Sequence, residues 1–442
     1  VRKYSLLKKE AYKVAGSIAL GVLLLFPLLG FAIDESVRRL VDMETLRNAT
    51  ASRSNKPIPL EHYEIPLKII KQDISERMPP KVRDALIFTK DGEEYVRWIL
   101  NPEDTKFRFA LRRFLQKNKI RADRKKHFTA YQTASRSYIV EDPFNGAQFS
   151  LKVSTNNTGG MWKDKKQTAV DTREVRMIND YLYEVGRKMP FENFVLMDEP
   201  AAFQIDEIDQ GMLVRVLGDL PEKKKYYVPG FSAVNHNAGI ELARINGSLN
   251  PKEFWNTHYN KPLARALGEL AAKTGITYDS PHSQNFLVEL DENNRPTGRI
   301  VLRDLGDSNL VGDVFEAHGK ENIVKAWDAS AVRKRSFKSH IGIFHGTPLP
   351  GWMDEGDFTQ WGKDFFAEYN KEYARITGLS MESLPTYIEV NGRYLASHYD
   401  LKGEEWEKYL NNIREGKMER AAKVIPWRAA ARCQEEFAKV SP

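Results

Sequence analysis

Between Thr277 and Asp307 the chain reads TYDSPHSQNFLVELDENNRPTGRIVLRDLGD, an apolar hairpin with polar residues at its ends. His282, Gln284 and Asn285 precede a strand carrying Phe286, Leu287, Val288 and Leu290. A turn follows at Asn293, Asn294 and Pro296, and a second strand (Ile300, Val301, Leu302) ends in Arg303 and Asp304. Because a hairpin returns to its start, Asn285 and Asp304 should meet at one end. An amide and a carboxylate oxygen there suit Mg²⁺, while His282 and Gln284 suit a phosphate or acyl oxygen. An isolated H-x-x-N followed by R-D is more often only the polar border of a hairpin, so the rest of the chain must decide.

Upstream, Phe149–Ser154 (FSLKVS) alternates as a strand, with Leu151 and Val153 on one face and Ser150, Lys152 and Ser154 on the other. A lysine on such a face is commonly just solvated. Arg136 and Arg176 are better suited to gripping a triphosphate, because a guanidinium offers a planar fork of donors to phosphate oxygens. With Asn285 and Asp304 these residues supply both halves of a nucleotide site, cations for phosphate and oxygen ligands for Mg²⁺. The stretch Thr155 to Gly160 (TNNTGG) lacks the Walker GK[ST] pattern and reads as a turn.

These segments, taken in order, resemble the NRPS-independent siderophore synthetases, the aerobactin-synthetase-like family. Gly275, Ile276, His282, Gln284, Asn285 and Leu287, then Arg303 and Asp304, resemble that family's G-I-x-x-E-A-H-x-Q-N-x-L-L followed by R-D. Trp255, Tyr259, Pro262 and Leu263 fall where the family has an aromatic helix leading into the motif. Ser135, Arg136 and Ser137 resemble its S-x-R-T segment, Phe149–Ser154 its L-K-L-S strand, and Thr172 and Arg176 its T-x-x-x-R. Glu199 and Ala201, then Leu213, Val214 and Arg215, resemble its E-x-A … L-x-x-x-x-R region. The resemblance covers roughly Thr129 to Asp307, and its force lies in the ordered series.

The resemblance implies an α+β fold, an antiparallel-sheet nucleotide-binding palm flanked by helices. It also implies ATP and Mg²⁺ as cofactors and a small carboxylate substrate that attacks the α-phosphate to give an acyl adenylate, intercepted by an amine or hydroxyl. Ser135, Arg136, Lys152, Thr172, Arg176, Gln284 and Asn285 would bind the nucleotide, Asn285 and Asp304 the metal, and His282 and Arg176 would serve catalysis. The chain departs from the family at two points: Ser280 and Pro281 replace Glu-Ala, and the family's H-P-x-H segment has no counterpart, His127 having unrelated neighbours. Both departures favour a non-catalytic binding module that kept the fold. H-x-x-N with R-D-x-G-D also resembles small-molecule kinases, although no glycine-rich loop or HRD base accompanies it.

The N-terminus raises a different question. Arg2, Lys3, Lys8, Lys9 and Lys13 precede an uncharged run from Val14 to Ile33, long enough to cross a bilayer. It reads as a signal peptide cleaved after Gly30-Phe31-Ala32 or as a retained anchor, with a membrane as partner in the second case. Positive-inside orientation places residues after Ile33 outside the cytoplasm, periplasmic, secreted or tethered to the inner membrane, where ATP is scarce.

The elements that must hold such a site follow from pattern. The 442 residues are 41% hydrophobic, enough for one large or two coupled domains. The expected divisions are 1–33, a mainly helical 34–126, the nucleotide-binding region 127–345 and a helical C-terminal part, 346–442. Asp34 to Thr50 reads as a helix, Ala51 to Pro66 as a linker, 67 to 126 as mainly helical and Thr129 to Val153 as strands. Asp171–Lys188, Asn250–Thr274, Asp354–Gly378, Glu404–Arg414 and Met418–Val440 read as helices. The lone Cys433 excludes an internal disulfide framework and a cysteine-rich metal centre. A net charge of +7 is modest, and much of it falls in Lys106 to Lys126. There Phe107, Leu111, Phe114 and Leu115 recur at helical spacing and mark a packed helix with a solvated basic face. No nucleic-acid fold signature accompanies that run, and homo-oligomerisation stays open.

Overall fold

The computed structural model describes residues 33–47, 53–158, 164–220, 224–278, 283–327, 332–333, 338–340, 349–381, 388–390 and 393–397. His282, residues 14–32 of the apolar run, Cys433 and the helices expected over Glu404–Arg414 and Met418–Val440 lie outside the described residues.

A nine-stranded sheet, antiparallel throughout, organises the N-terminal half. Its order is β2 (Lys71–Ile74), β9 (Ala201–Ile205), β10 (Gln210–Val216), β7 (Gln148–Lys152), β6 (Ser137–Glu141), β5 (Lys125–Gln132), β1 (Ile58–Pro66), β4 (Glu93–Ile99) and β3 (Ile87–Lys90). One face carries Tyr138, Val140, Phe149, Leu151, Met212 and Val214. It buries them against helices α2 (Pro80–Leu86) and α3 (Lys106–Lys117), which contribute Val82, Leu86, Leu111, Phe114 and Leu115. The period-2 reading of FSLKVS holds: Leu151 and Val153 enter this core, so Lys152 faces the other way.

That other face is covered in two places. Helix α1 (Glu35–Thr45) lays Val37, Leu40 and Val41 on Tyr131 and Ile139. Helix α4 (Ala169–Lys188) lays Val175 on Ala202 and Leu213. Gly211 lets α4 approach, because a Cβ there would stand 2.0 Å from the Thr172 hydroxyl and 2.8 Å from the Thr168 carbonyl. The strip left uncovered, with Ser150, Lys152 and Arg215, is where polar side chains can collect.

A second sheet runs β11 (Tyr226–Pro229), β13 (Phe286–Leu290), β14 (Pro296–Leu302) and β8 (Phe194–Leu196), the last pair parallel. The expected hairpin is β13–β14, in register Phe286 to Leu302. Leu287 and Val301 face α1, joining the two sheets through one apolar cluster. Val288, Ile300 and Leu302 face helices α5 (Lys261–Thr274) and α6 (Glu355–Thr377). β12 (Ile276–Tyr278) then pairs with β15 (Ser308–Val311) beside the hairpin.

The architecture is α+β, as expected, but two stretches correct the reading of pattern. Residues 67–126 are mixed rather than mainly helical, with β2, β3, β4 and the start of β5 among α2 and α3. Asp91 and Gly92, at φ 52° and 80°, form the tight turn joining β3 to β4, a hairpin signal masked by the mixed periodicity around it. The expected linker 51–66 contains β1, an interior strand. Its Pro59 argues against an interior strand, yet is accommodated next to a bulge between Leu60 and Glu61. The helix expected over Asn250–Thr274 widens into a π-type turn at Asn256–Asn260. Pro262, without an N–H, follows directly, and such wide turns occur where the ladder is disturbed.

Candidate functional site

Asp304, just past the end of β14, reaches across to that strip of the large sheet and forms an ion pair with Lys152 of β7. The neighbouring strand β10 sets Arg215 opposite Ser150, so its guanidinium lies 3.8 Å from the same carboxylate. Arg215 is clasped in turn by Glu199, through Nε at 3.0 Å and Nη2 at 2.6 Å. The result is a buried alternating chain of charge, Lys152, Asp304, Arg215 and Glu199. Asp304 adopts a left-handed backbone, φ 60° and ψ 60°, uncommon for a residue other than glycine or asparagine and of a kind that gathers at functional sites.

Burial alone would push the Asp304 carboxyl up, but Lys152 and Arg215, helped by Arg136, hold it well below the usual carboxylate range. Glu199 shifts upward, because complete burial outweighs the attraction of Arg215. Asp304 is therefore the permanent anion of the pair and Glu199 the more easily neutralised one.

Gln284, Asn285, Arg303 and Asp304 line a cleft with Ser137, Ser150 and Arg215, its far wall formed by Leu40 and Glu44 of α1. Arg303 donates to the Gln284 carbonyl at 2.9 and 2.6 Å and pairs with Glu44. Arg136 sits beside Lys152, its carbonyl accepting from Val153 N at 3.0 Å. Its guanidinium donates to the Lys166 carbonyl at 2.8 Å. Ser135 occupies the β5–β6 turn, its carbonyl accepting from Asn101 at 3.0 Å.

The fold thus gathers Gln284, Asn285 and Asp304 around one cleft, with Lys152 joined to it through its ion pair with Asp304 and Arg136 adjacent. Two expected residues are elsewhere. Arg176 is fully buried in α4 and donates to Asp180 at 2.8 Å, Asp73 at 3.4 Å and the Glu199 carbonyl at 2.9 Å, so its guanidinium supports the Glu199 backbone from behind and does not enter the cleft. Thr172 is buried against Gly211, its hydroxyl donating to the Thr168 carbonyl and accepting from Gln167 at 3.0 Å. Both answer to helix packing.

Reading by pattern did not assign roles to Arg215, Glu199 and Glu44. Arg215 carries a usable signal: an arginine inside the apolar strand GMLVRV must be buried with a counter-charge. Glu44 carries none, since only the packing of α1 brings it to Arg303.

For Mg²⁺ the donors at hand are oxygens, Asp304 and Asn285, which suit an ion that draws its remaining ligands from phosphate and water. Lys152 holds that carboxylate, so holding Mg²⁺ there would require the lysine to let go. Among the described residues no group of three or more His, Cys, Asp and Glu side chains is spaced to hold a metal. No described helix is long and apolar enough to cross a membrane.

No protein-family profile matches the chain, and no curated protein matches it in sequence. Among solved structures it resembles the petrobactin biosynthesis protein AsbB of Bacillus anthracis, with a TM-score of 0.53 and 14% identity over 72% of this chain and 61% of that one. Looser likenesses are to ATP-bound aerobactin synthetase IucA of Klebsiella pneumoniae (TM-score 0.48, 15% identity, 73% of this chain and 62% of that). The aerobactin synthetase IucC of the same organism gives 0.49 and 11%, over 72% and 62%. The chain spans 61–62% of the length of these proteins. The likeness to AsbB shows the fold, and that fold is the aerobactin-synthetase-like one implied by the ordered series of motifs.

Proposed function

We propose that the chain is an ATP-dependent ligase that joins a carboxylate to an amine or hydroxyl through an acyl adenylate, chemistry of the siderophore-synthesis type. The observation that carries this reading is the cluster of cations, Lys152, Arg215 and Arg136, gathered about Asp304 at a cleft that Asn285 also lines, in a fold shared with AsbB.

In this reading Lys152 and Arg136 grip the phosphates, and Arg215 keeps Asp304 ionised as Lys152 turns to the nucleotide. Asp304 and Asn285 would hold Mg²⁺, which would neutralise charge on the phosphates. A carboxylate oxygen bonds to the α-phosphorus as the bond to pyrophosphate breaks. The amine or hydroxyl then attacks the acyl carbon, losing a proton as AMP leaves. The protein contributes positioning and fixed cations aimed at the developing phosphate charge. His282, next to Ser283, is the expected contact to the reacting carboxylate or to phosphate.

A second reading, a binding module without turnover, is favoured by one observation: Arg176, expected among the phosphate cations, is committed to packing. One experiment separates the readings. The chain is incubated with Mg²⁺, ATP, citrate and hydroxylamine, and the nucleotide product is identified. AMP with pyrophosphate supports the ligase. ADP as sole product would identify a kinase and overturn it. ATP binding with no turnover across a panel of carboxylates would identify the module. The export expected from the 14–33 run is part of the proposal, tested by a reporter fused after Thr50, which should be active only outside the cytoplasm.

A further inference from the structure

We infer that the solvent face of α3 is a docking surface for an anionic phospholipid bilayer. The helix sequence, KFRFALRRFLQK, carries five basic residues and no acid over its 12 residues. Its inner face is fully used: Phe107, Leu111, Phe114 and Leu115 are buried in the sheet core. At about 100° per residue the outward arc runs through Arg112, Gln116, Phe109, Arg113, Lys106 and Lys117, and Phe109 falls near its middle.

Phe109 is 60% exposed, one of few large apolar side chains so placed among the described residues. A lone exposed apolar side chain is ordinary on a protein surface, but this one stands near the middle of a basic helix face. An interfacial helix uses such a placement: the ring enters the headgroup boundary while flanking cations meet lipid phosphates. The cations around it are divided accordingly. Lys106 and Lys117, together at one end of the arc, pair with Asp164 and Glu207. Arg112 and Arg113, on either side of Phe109, have no acidic partner among the described residues, and Arg113 lies 6.0 Å over the Phe109 ring. Past the helix, Lys119, exposed at φ 58°, extends the basic surface. The unneutralised charge flanks the exposed ring on both sides, which complements an anionic, partly apolar surface. A flat face with a single aromatic is poorly suited to a nucleic acid, which needs several stacking platforms or a helix shaped to a groove.

The test is co-sedimentation of the full chain with vesicles of phosphatidylcholine alone and with roughly one-third phosphatidylglycerol. The apolar Val14–Ile33 run partitions into both alike, and the basic residues before it favour anionic vesicles equally in parent and variants, so the difference between parent and variant on anionic vesicles reads the charged face. Expected is tighter binding to the anionic vesicles, weakened by salt, with Arg112→Gln/Arg113→Gln losing roughly 30-fold on anionic vesicles and nothing on neutral ones. Phe109→Ser should lower the part of anionic-vesicle binding that resists salt. All three side chains are exposed, so the variants should fold, and an unchanged urea midpoint confirms it. Equal partitioning of the parent into both vesicle types would overturn the inference. So would a double variant that binds anionic vesicles as the parent does, including the case where it loses only affinity for a single-stranded oligonucleotide.

Discussion

Lys152 and Asp304 stand 152 positions apart in sequence and form an ion pair that ties the large sheet to the β13–β14 hairpin. Each is held on a different sheet, and α1 keeps the sheets together by burying Leu40 and Val41 among Ile139, Leu287 and Val301. The pair is both a structural tie and the resting occupant of the groups that the proposed chemistry requires.

The two roles separate by measurement. Lys152→Met should reduce adenylation roughly 30- to 1000-fold, as loss of one preorganised charge stabiliser does. Arg215 should keep Asp304 ionised, so the fold survives. In ligand-free protein, a double-mutant cycle of Lys152→Met and Asp304→Asn in urea should give a coupling of about 1–3 kcal/mol. A coupling near zero would mean that the two side chains do not hold each other.

Arg176→Met should act in the opposite sense. The guanidinium is fully buried and neutralises Asp180 and Asp73, both about half exposed, so the acids left behind can be rehydrated. Breaking a fully buried pair costs about 3–5 kcal/mol, and solvent access here lowers the expectation to roughly 2–4 kcal/mol of unfolding free energy. The KM for ATP should change less than threefold, roughly, against the larger effects of cleft residues. A large rise in KM with an unchanged urea midpoint would return Arg176 to the cleft.

How much of this was legible in the sequence follows from the range of the forces involved. The alternation around Lys152 and the β13–β14 hairpin are local, and both were readable, as was α6, capped by Asp354 and closed by Gly378 at φ 73°. β1 was hidden because Pro57, Pro59 and Pro66 speak against a strand, while its neighbours β4 and β5 supply the partners that make it one. Arg176 was misplaced because a T-x-x-x-R spacing puts the two residues on adjacent turns of a helix without saying which face meets the cleft. Glu44 was invisible, since its meeting with Arg303 depends on a contact 259 positions long.

Gly211→Ala tests the approach of α4 to the site. The added methyl would meet Thr172 at 2.0 Å and the Thr168 carbonyl at 2.8 Å, and the second contact is backbone, which cannot rotate away. The expected cost is roughly 1–3 kcal/mol, read as a lower urea midpoint. Adding Thr172→Ala should recover only part of it, because the carbonyl remains, as does the residue 172 Cβ at 2.7 Å, which alanine keeps. Full recovery would show that the hydroxyl alone sets the distance.

The last prediction concerns pH. His62 on β1 is 2% exposed with no hydrogen-bond partner for either ring nitrogen. Burial, then Arg97 and His127, lowers its pKa from 6.5 to about 4. The sign follows from which state takes the proton first. Between about pH 6.5 and 4 the unfolded chain protonates this imidazole while the folded chain keeps it neutral, so stability falls as pH drops through that window and is full above it. A shift of this size corresponds to roughly 3 kcal/mol lost by pH 4. His318 is also lowered to about 4, first by burial, and adds to the same slope. Asp304, held low, loses its contribution only below the ordinary carboxylate range and so acts outside this window. His62→Phe should therefore flatten about half of the decline in urea midpoint between pH 6.5 and 4.5 and leave the slope below pH 4 in place. An unchanged decline in the variant would mean that the folded protein protonates His62 as readily as the unfolded chain does.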